Sequence, residues 1–206
     1  DNMELGFRYN KGTTALEVMY FASDYANLVG TCSNSSGGDC EAGQTFSGGE
    51  VDVSGLEIVS STVFEGQNGV SYPVAITFTS TDATFENSFS NGDYWGTVAA
   101  GDDVPYIPSS VLNISAGFIT EGGWSGYMRL ADHGSSCSTA ACGSYQTIDA
   151  YSYMDITLRK AVNANLDVYG VLENVTDNED VAARAPKDGA RSQKPQTFKV
   201  GFSYKF

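Results

Sequence analysis

No stretch of this 206-residue chain approaches the roughly 18 consecutive apolar residues that a membrane-spanning helix needs. Charge is scarce too: Asp, Glu, Lys and Arg make up 17% of the residues, with 11 Lys or Arg against 25 Asp or Glu. The resulting formal net charge of -14 leaves no basic face and excludes nucleic acid as a partner. The single histidine, His133, has no nucleophile motif beside it, so the chain reads as a non-enzyme with no catalytic residues and no cofactor. The chain also lacks a starting Met and a signal peptide: Asp1-Asn2-Met3 run straight into an alternating pattern. That opening leads us to expect a piece of something longer.

What remains is rich in glycine (23), tyrosine (12) and phenylalanine (11), too aromatic for a disordered chain. Lack of an apolar helix does not exclude a membrane, because barrel strands alternate and their hydropathy averages out. The C-terminal stretch shows the alternation well. Phe198, Val200, Phe202, Tyr204 and Phe206 share one face, and Thr197, Lys199, Gly201, Ser203 and Lys205 the other.

Periodicity predicts nine strands, over 4–9, 14–29, 44–61, 72–89, 110–119, 124–131, 147–160, 165–174 and the terminal stretch. The connections at 10–13, 62–71, 120–123 and 161–164 are short or moderate, and those at 30–43, 90–109, 132–146 and 175–195 are long. Strict alternation of short and long is the asymmetry of an outer-membrane barrel, with short periplasmic turns and long external loops. A soluble β-sandwich or a secreted β-solenoid is the rival reading, but sandwich strands usually run about five or six residues. Several here reach the length that a tilted membrane strand requires. The expected fold is all-β, an antiparallel transmembrane β-barrel segment. A single-chain bacterial barrel needs an even strand count, so nine strands point to the closing part of a larger barrel.

The four cysteines form two close pairs, Cys32/Cys40 and Cys137/Cys142, each in a Gly/Ser/Ala-rich long connection. Their spacings do not fit common zinc sites. Local disulfides in an oxidising compartment are expected, each contributing about 2–3 kcal/mol.

Three stretches carry a family resemblance. They are Tyr151-Ser152-Tyr153-Met154-Asp155-Ile156, Val171-Leu172-Glu173-Asn174-Val175-Thr176-Asp177, and Ala183-Arg184-Ala185-Pro186-Lys187-Asp188-Gly189-Ala190-Arg191 followed by Lys194-Pro195-Gln196-Thr197-Phe198. Together they resemble the carboxy-terminal end of TonB-dependent outer-membrane receptors. Upstream, Val104-Pro105-Tyr106-Ile107-Pro108 resembles the family's Leu-Pro-Tyr-x-Pro loop ending, and stretches near Phe21–Leu28 and Gly55-Leu56-Glu57 fit more loosely. Gln196 and Ser192-Gln193 depart from the family's usual Arg and Pro-Gly. Residues Lys199, Gly201, Tyr204 and Phe206 resemble the signal read by the barrel-assembly machinery.

The resemblance implies a plugged barrel of roughly 22 strands. Residues 1–206 would be its C-terminal part, with the plug domain and first strands outside this chain. Implied partners are a ferric chelate or other small nutrient, TonB through the missing N-terminal part, outer-membrane lipid and lipopolysaccharide, and the assembly machinery. The implied location is the bacterial outer membrane. Arg184 and Arg191, in the last long connection, are ligand candidates because guanidinium forks suit carboxylate-rich chelates; the rival role, slightly favoured, is to anchor the loop through salt bridges with the abundant Asp and Glu. Tyr94 and Trp95, in another long connection, offer rings that could stack on a ligand, although the interfacial girdle or loop packing is the favoured role for them. The acidic pairs Asp102-Asp103 and Glu50/Asp52 lack the spacing of an EF-hand, and no metal site is expected. The leading function is receptor-mediated import of a ferric siderophore or ferric citrate-like chelate. A passive porin-like channel or a surface adhesin barrel is the alternative.

Overall fold

The computed structural model describes residues 1–31, 41–91, 96–184 and 189–206. Nine long strands form one antiparallel sheet in which each strand pairs with the next in sequence. They are β1 (Asn2–Lys11), β2 (Thr14–Tyr25), β5 (Val51–Glu65), β6 (Val70–Phe85), β9 (Ser110–Thr120), β10 (Trp124–His133), β13 (Tyr151–Ala161), β14 (Leu166–Glu173) and β17 (Thr197–Tyr204). Four short ribbons crown the long connections: β3 (Val29–Thr31) with β4 (Thr45–Ser47), β7 (Phe89–Asn91) with β8 (Gly96–Val98), β11 (Ser136–Cys137) with β12 (Thr147–Ile148), and β15 (Val181–Ala183) with β16 (Arg191–Ser192). No helix occurs among the described residues.

The short turns follow from their residues. Asn68 and Gly69 both take positive φ, 59° and 66°, in the hairpin between β5 and β6. Gly66 N donates to Val70 O at 2.7 Å and closes the loop, and Asn and Gly are the residues that tolerate the left-handed conformations it uses. Asn163 Oδ1 accepts from the amides of Asn165 and Leu166 at 2.9 and 3.0 Å, closing the turn into β14.

Nine long strands agree with the sequence expectation, but four boundaries move. The predicted strands 14–29, 44–61, 72–89 and 147–160 each break near the long-connection end. Strand β2 stops at Tyr25, and the chain resumes separately as β3. Leu28 N and Gly49 O bond at 2.9 Å, and Gly48 N and Leu28 O at 2.5 Å, so this stretch pairs within its own loop rather than prolonging the sheet. Alternating polarity continues through such a break, which is why periodicity alone ran the elements together.

The register puts Leu5, Val18, Ile58, Phe78, Leu112, Met128, Ile156, Leu172 and Phe198 on one face of the sheet. Arg8, Glu17, Thr77, Asn113, Arg129, Asp155, Asp167 and Lys199 occupy the other. The apolar face is bare: Phe198 is 70% exposed, Phe202 74% and Leu158 44%. A soluble sandwich would bury these three side chains, so the sandwich reading fails here. Charges on the apolar face obey a simple rule. Lys11 and Lys160 stand at its short-turn end, and Asp24, Asp52, Asp82 and Asp132 at its long-connection end, with none between.

The polar face has its own ties. Arg8 Nη2 donates to Glu17 Oε1 at 2.8 Å, Arg129 Nη2 to Asn113 Oδ1 at 3.0 Å, and Arg159 to Asp167. Glycines on both faces sit directly opposite aromatic residues: Gly55 opposite Phe21, Gly117 opposite Tyr127, Gly126 opposite Phe118 and Gly201 opposite Tyr169. Each ring lies over its glycine, where a Cβ would be 2.5–2.6 Å from a ring carbon. Among the described residues, the one sizeable cluster of buried apolar side chains lies at the long-connection end, where Val51, Ala83, Phe85, Val98, Val104 and Ala140 pack together.

Candidate functional site

The long connections converge at one end of the sheet. The segment after β6 folds back on it, with Phe85 N bonded to Asp102 O at 2.9 Å and Val104 N to Ala83 O at 2.9 Å. Asp102 is engaged in its own turn, where its Oδ2 accepts from Ala99 N at 2.8 Å. Folding back delivers Tyr106 to a junction of three loops. Tyr106 N donates to Cys137 O at 2.7 Å, and its hydroxyl donates to the carbonyl of Arg184. Arg184 Nε in turn donates to Thr147 O at 2.8 Å. Thr147 pairs with Cys137 across the β11–β12 ribbon, which closes a ring of four residues. The Cys137–Cys142 disulfide, with Cα atoms 5.4 Å apart, ties off that ribbon. Tyr106 holds φ at 63°, an uncommon conformation for a non-glycine residue, so the junction keeps its backbone in a costly state.

The Glu173–Asp177 stretch builds a second junction. Asn174 is buried with φ at 49°. Its amide donates to Asp155 Oδ1 at 2.9 Å, and its Nδ2 donates to Asn178 O at 2.9 Å and Lys194 O at 2.8 Å. Asp177 Oδ1 accepts from Gln196 N at 2.8 Å. Glu173 pairs with Lys199 at 2.6 Å and with Lys194. The last loop is thereby pinned to the strands that flank it.

This second junction borders a cavity of about 380 Å3, lined by Tyr151, Tyr153, Asp155, Glu173, Gln193 and Lys194. His133 stacks on Tyr151 with ring centres 4.7 Å apart, extending the aromatic wall along β10. Gln193 Nε2 donates to Ser152 O at 3.5 Å and Asp180 Oδ2 at 3.4 Å, while its buried Oε1 has no partner among the described residues. The ring faces of Tyr151 and Tyr153 and the free Gln193 Oε1 acceptor suit a ligand that carries rings and donates hydrogen bonds, while Asp155 and Glu173 outweigh the Lys194 ammonium, which is already paired with Glu173.

The ligand candidates named from the sequence do not form one cluster. Arg184 is built into the loop junction. Arg191 stands exposed on β16, opposite Ala183, and no carboxylate pairs with it among the described residues. Tyr94 and Trp95 lie outside the described residues, as do Cys32 and Cys40. Of the residues likened to an assembly signal, Lys199 is paired with Glu173 and Gly201 faces Tyr169. Tyr204 meets Phe206 edge-on at 5.2 Å. Sequence reading passed over His133, Tyr151, Tyr153 and Gln193 as site residues. Only the aromatic run Tyr151-Ser152-Tyr153 carried a signal for them.

The family described as TonB dependent receptor-like, beta-barrel matches residues 1–175. The ferric-catecholate import receptor Fiu of E. coli K12, closed form, aligns with a TM-score of 0.72 at 22% identity, covering 100% of this chain and 27% of that one. The siderophore receptor PiuA from Acinetobacter baumannii gives 0.75 at 13% identity, with 100% and 28% covered. The copper transporter OprC gives 0.70 at 11% identity, with 100% and 31% covered. Identities this low speak for the fold alone, and the chain spans less than a third of each of these structures. A search of curated proteins gives no match. The family match takes in all of the nine-stranded sheet except β17, and the chain belongs to the TonB-dependent receptor β-barrel family.

Proposed function

We propose that this chain is the C-terminal part of a larger outer-membrane receptor that captures a ferric chelate at its loop end and imports it in a TonB-dependent step. The observation that carries the reading is the family match over a sheet whose apolar face is bare and whose long loops are locked together at one end. Coverage of less than a third of the aligned structures, with β1 and β17 each paired on one side only, supports a barrel that extends beyond these strands. Iron-chelate receptors among the structural neighbours favour iron over other cargo, and the copper transporter makes copper the competitor. Exposed Arg191 is the guanidinium we assign to the ligand's carboxylates or phenolates. Arg184 sets the loop that presents it. Tyr94 and Trp95 keep their proposed role as stacking residues, and TonB would engage the receptor outside this chain.

Radiolabelled ferric-chelate uptake in cells carrying the intact receptor tests this. Iron accumulation should require both TonB and the proton gradient, and Arg191→Ala should weaken chelate binding about tenfold, the loss of roughly one charged hydrogen-bonded contact. Uptake that persists without TonB supports a passive channel, and accumulation of copper alone overturns the iron assignment.

A further inference from the structure

Six glycines lie inside the nine strands, and five of them are covered by a side chain: Gly6 by Met19, and Gly55, Gly117, Gly126 and Gly201 by the rings named above. Gly170 is the exception. A Cβ there would find nothing nearer than Phe198 Cε2 at 3.8 Å. Leu158, Gly170 and Val200 lie side by side on the apolar face of β13, β14 and β17. The missing side chain opens a groove of about 370 Å3 walled by Trp124, Leu158, Val168, Phe198 and Val200. The groove is flanked by strands on both sides, so adding strands beyond β17 leaves it open.

Lys160 stands at the short-turn end of this groove. Its Nζ lies 5.3 Å from the centre of the Trp124 ring and donates to Gly122 O, which leaves further N–H donors for an anion. From Ile156 to Lys160 the groove runs four residues along β13, about 13 Å at about 3.3 Å per residue. At the roughly 40° tilt of barrel strands this is about 10 Å of depth, which lies within the half of a hydrocarbon core about 30 Å thick that one leaflet supplies. On the apolar face cations occur only at this end and acids only at the other, so an anionic headgroup is attracted here and repelled there.

We propose that the groove over Gly170 holds one acyl chain of a glycerophospholipid of the periplasmic leaflet, with its phosphate on Lys160. This rests on the outer-membrane reading above.

Native mass spectrometry of the intact receptor, delipidated in detergent and titrated with phosphatidylglycerol, tests it. One lipid should be retained by the wild type. Gly170→Leu, which fills the groove, should weaken that adduct at least tenfold, and the milder Gly170→Ala about threefold. Lys160→Gln should weaken phosphatidylglycerol about fivefold and leave diacylglycerol, which has no phosphate, unchanged. Wild-type affinity in Gly170→Ala and Gly170→Leu marks the lipid as bulk or detergent-like and overturns the inference. So does a mass shift equal to a second copy of the receptor. Membrane fractionation of the same cells separates the two failures. Receptor in the outer membrane without a retained lipid sinks the groove alone, and receptor absent from membranes sinks the outer-membrane reading with it.

Discussion

Removing the Arg184 guanidinium should loosen a loop that is far from it in sequence. Arg184 Nε donates to Thr147 O, and the Arg184 carbonyl accepts from Tyr106, 78 residues away. Arg184→Ala deletes one charge-assisted hydrogen bond, about 1.5–3 kcal/mol. It also frees the backbone that receives the tyrosine hydroxyl. The Cys137–Cys142 link, five residues apart, contributes roughly 2 kcal/mol more to the same ribbon in the loop-entropy model. If the four residues open together, losing about 2 kcal/mol at Arg184 raises the open population about 30-fold. Hydrogen exchange on the intact receptor in micelles reads this at the Tyr106 amide, which is bonded to Cys137 O. The expected outcome is about 30-fold faster exchange at Tyr106 in Arg184→Ala, and a similar rise in Cys137→Ser/Cys142→Ser. A Tyr106→Phe/Arg184→Ala cycle should give a coupling above about 0.5 kcal/mol. Faster exchange confined to residues around Arg184, with Tyr106 unchanged, refutes the idea that three loops move as one.

Gly55→Ala should destabilise the sheet by about 1–3 kcal/mol, because its Cβ meets Phe21 Cζ at 2.5 Å and the backbone carbonyl of Ser80 still closer; a lowered midpoint of heat-modifiable electrophoretic mobility checks this. Asn174→Ala should cost about 2–4 kcal/mol in the same assay, since it strands the carbonyls of Asn178 and Lys194 and leaves a non-glycine at positive φ. An unchanged midpoint would mean that water replaces both bonds. Phe206→Ala should lower the amount of receptor in the membrane fraction without moving the midpoint, because Phe206 is fully exposed and touches the fold through Tyr204. A shifted midpoint would make its role one of packing instead of assembly.

The strands were legible because the chain writes their two environments in alternate letters. Phe198, Val200 and Phe202 are all exposed, yet no polar residue interrupts their face. A sheet with no core of its own cannot hide a mixed pattern, so its periodicity stays clean. The loop end was legible only as length and composition. Its order comes from backbone carbonyls at Cys137, Thr147 and Arg184, which any residue supplies. Tyr106 and Asn174 were named as parts of family-like stretches, but their positive φ and their hydrogen bonds arise only when segments far apart in sequence meet.

The same contrast explains why Arg184 and Arg191 looked alike. Both stood in one basic stretch of an otherwise acidic chain, and spacing gave no means of ranking them. Placement separates them by what each nitrogen already does. Arg184 commits Nε to a carbonyl inside a closed ring, whereas Arg191 is exposed on a two-residue strand with no acid beside it among the described residues. An arginine held in a ring sets the position of its neighbours, and an arginine left in solvent retains its full fork for an incoming anion. A receptor loop that must be both shaped and receptive needs one of each, and the last long connection supplies them seven residues apart.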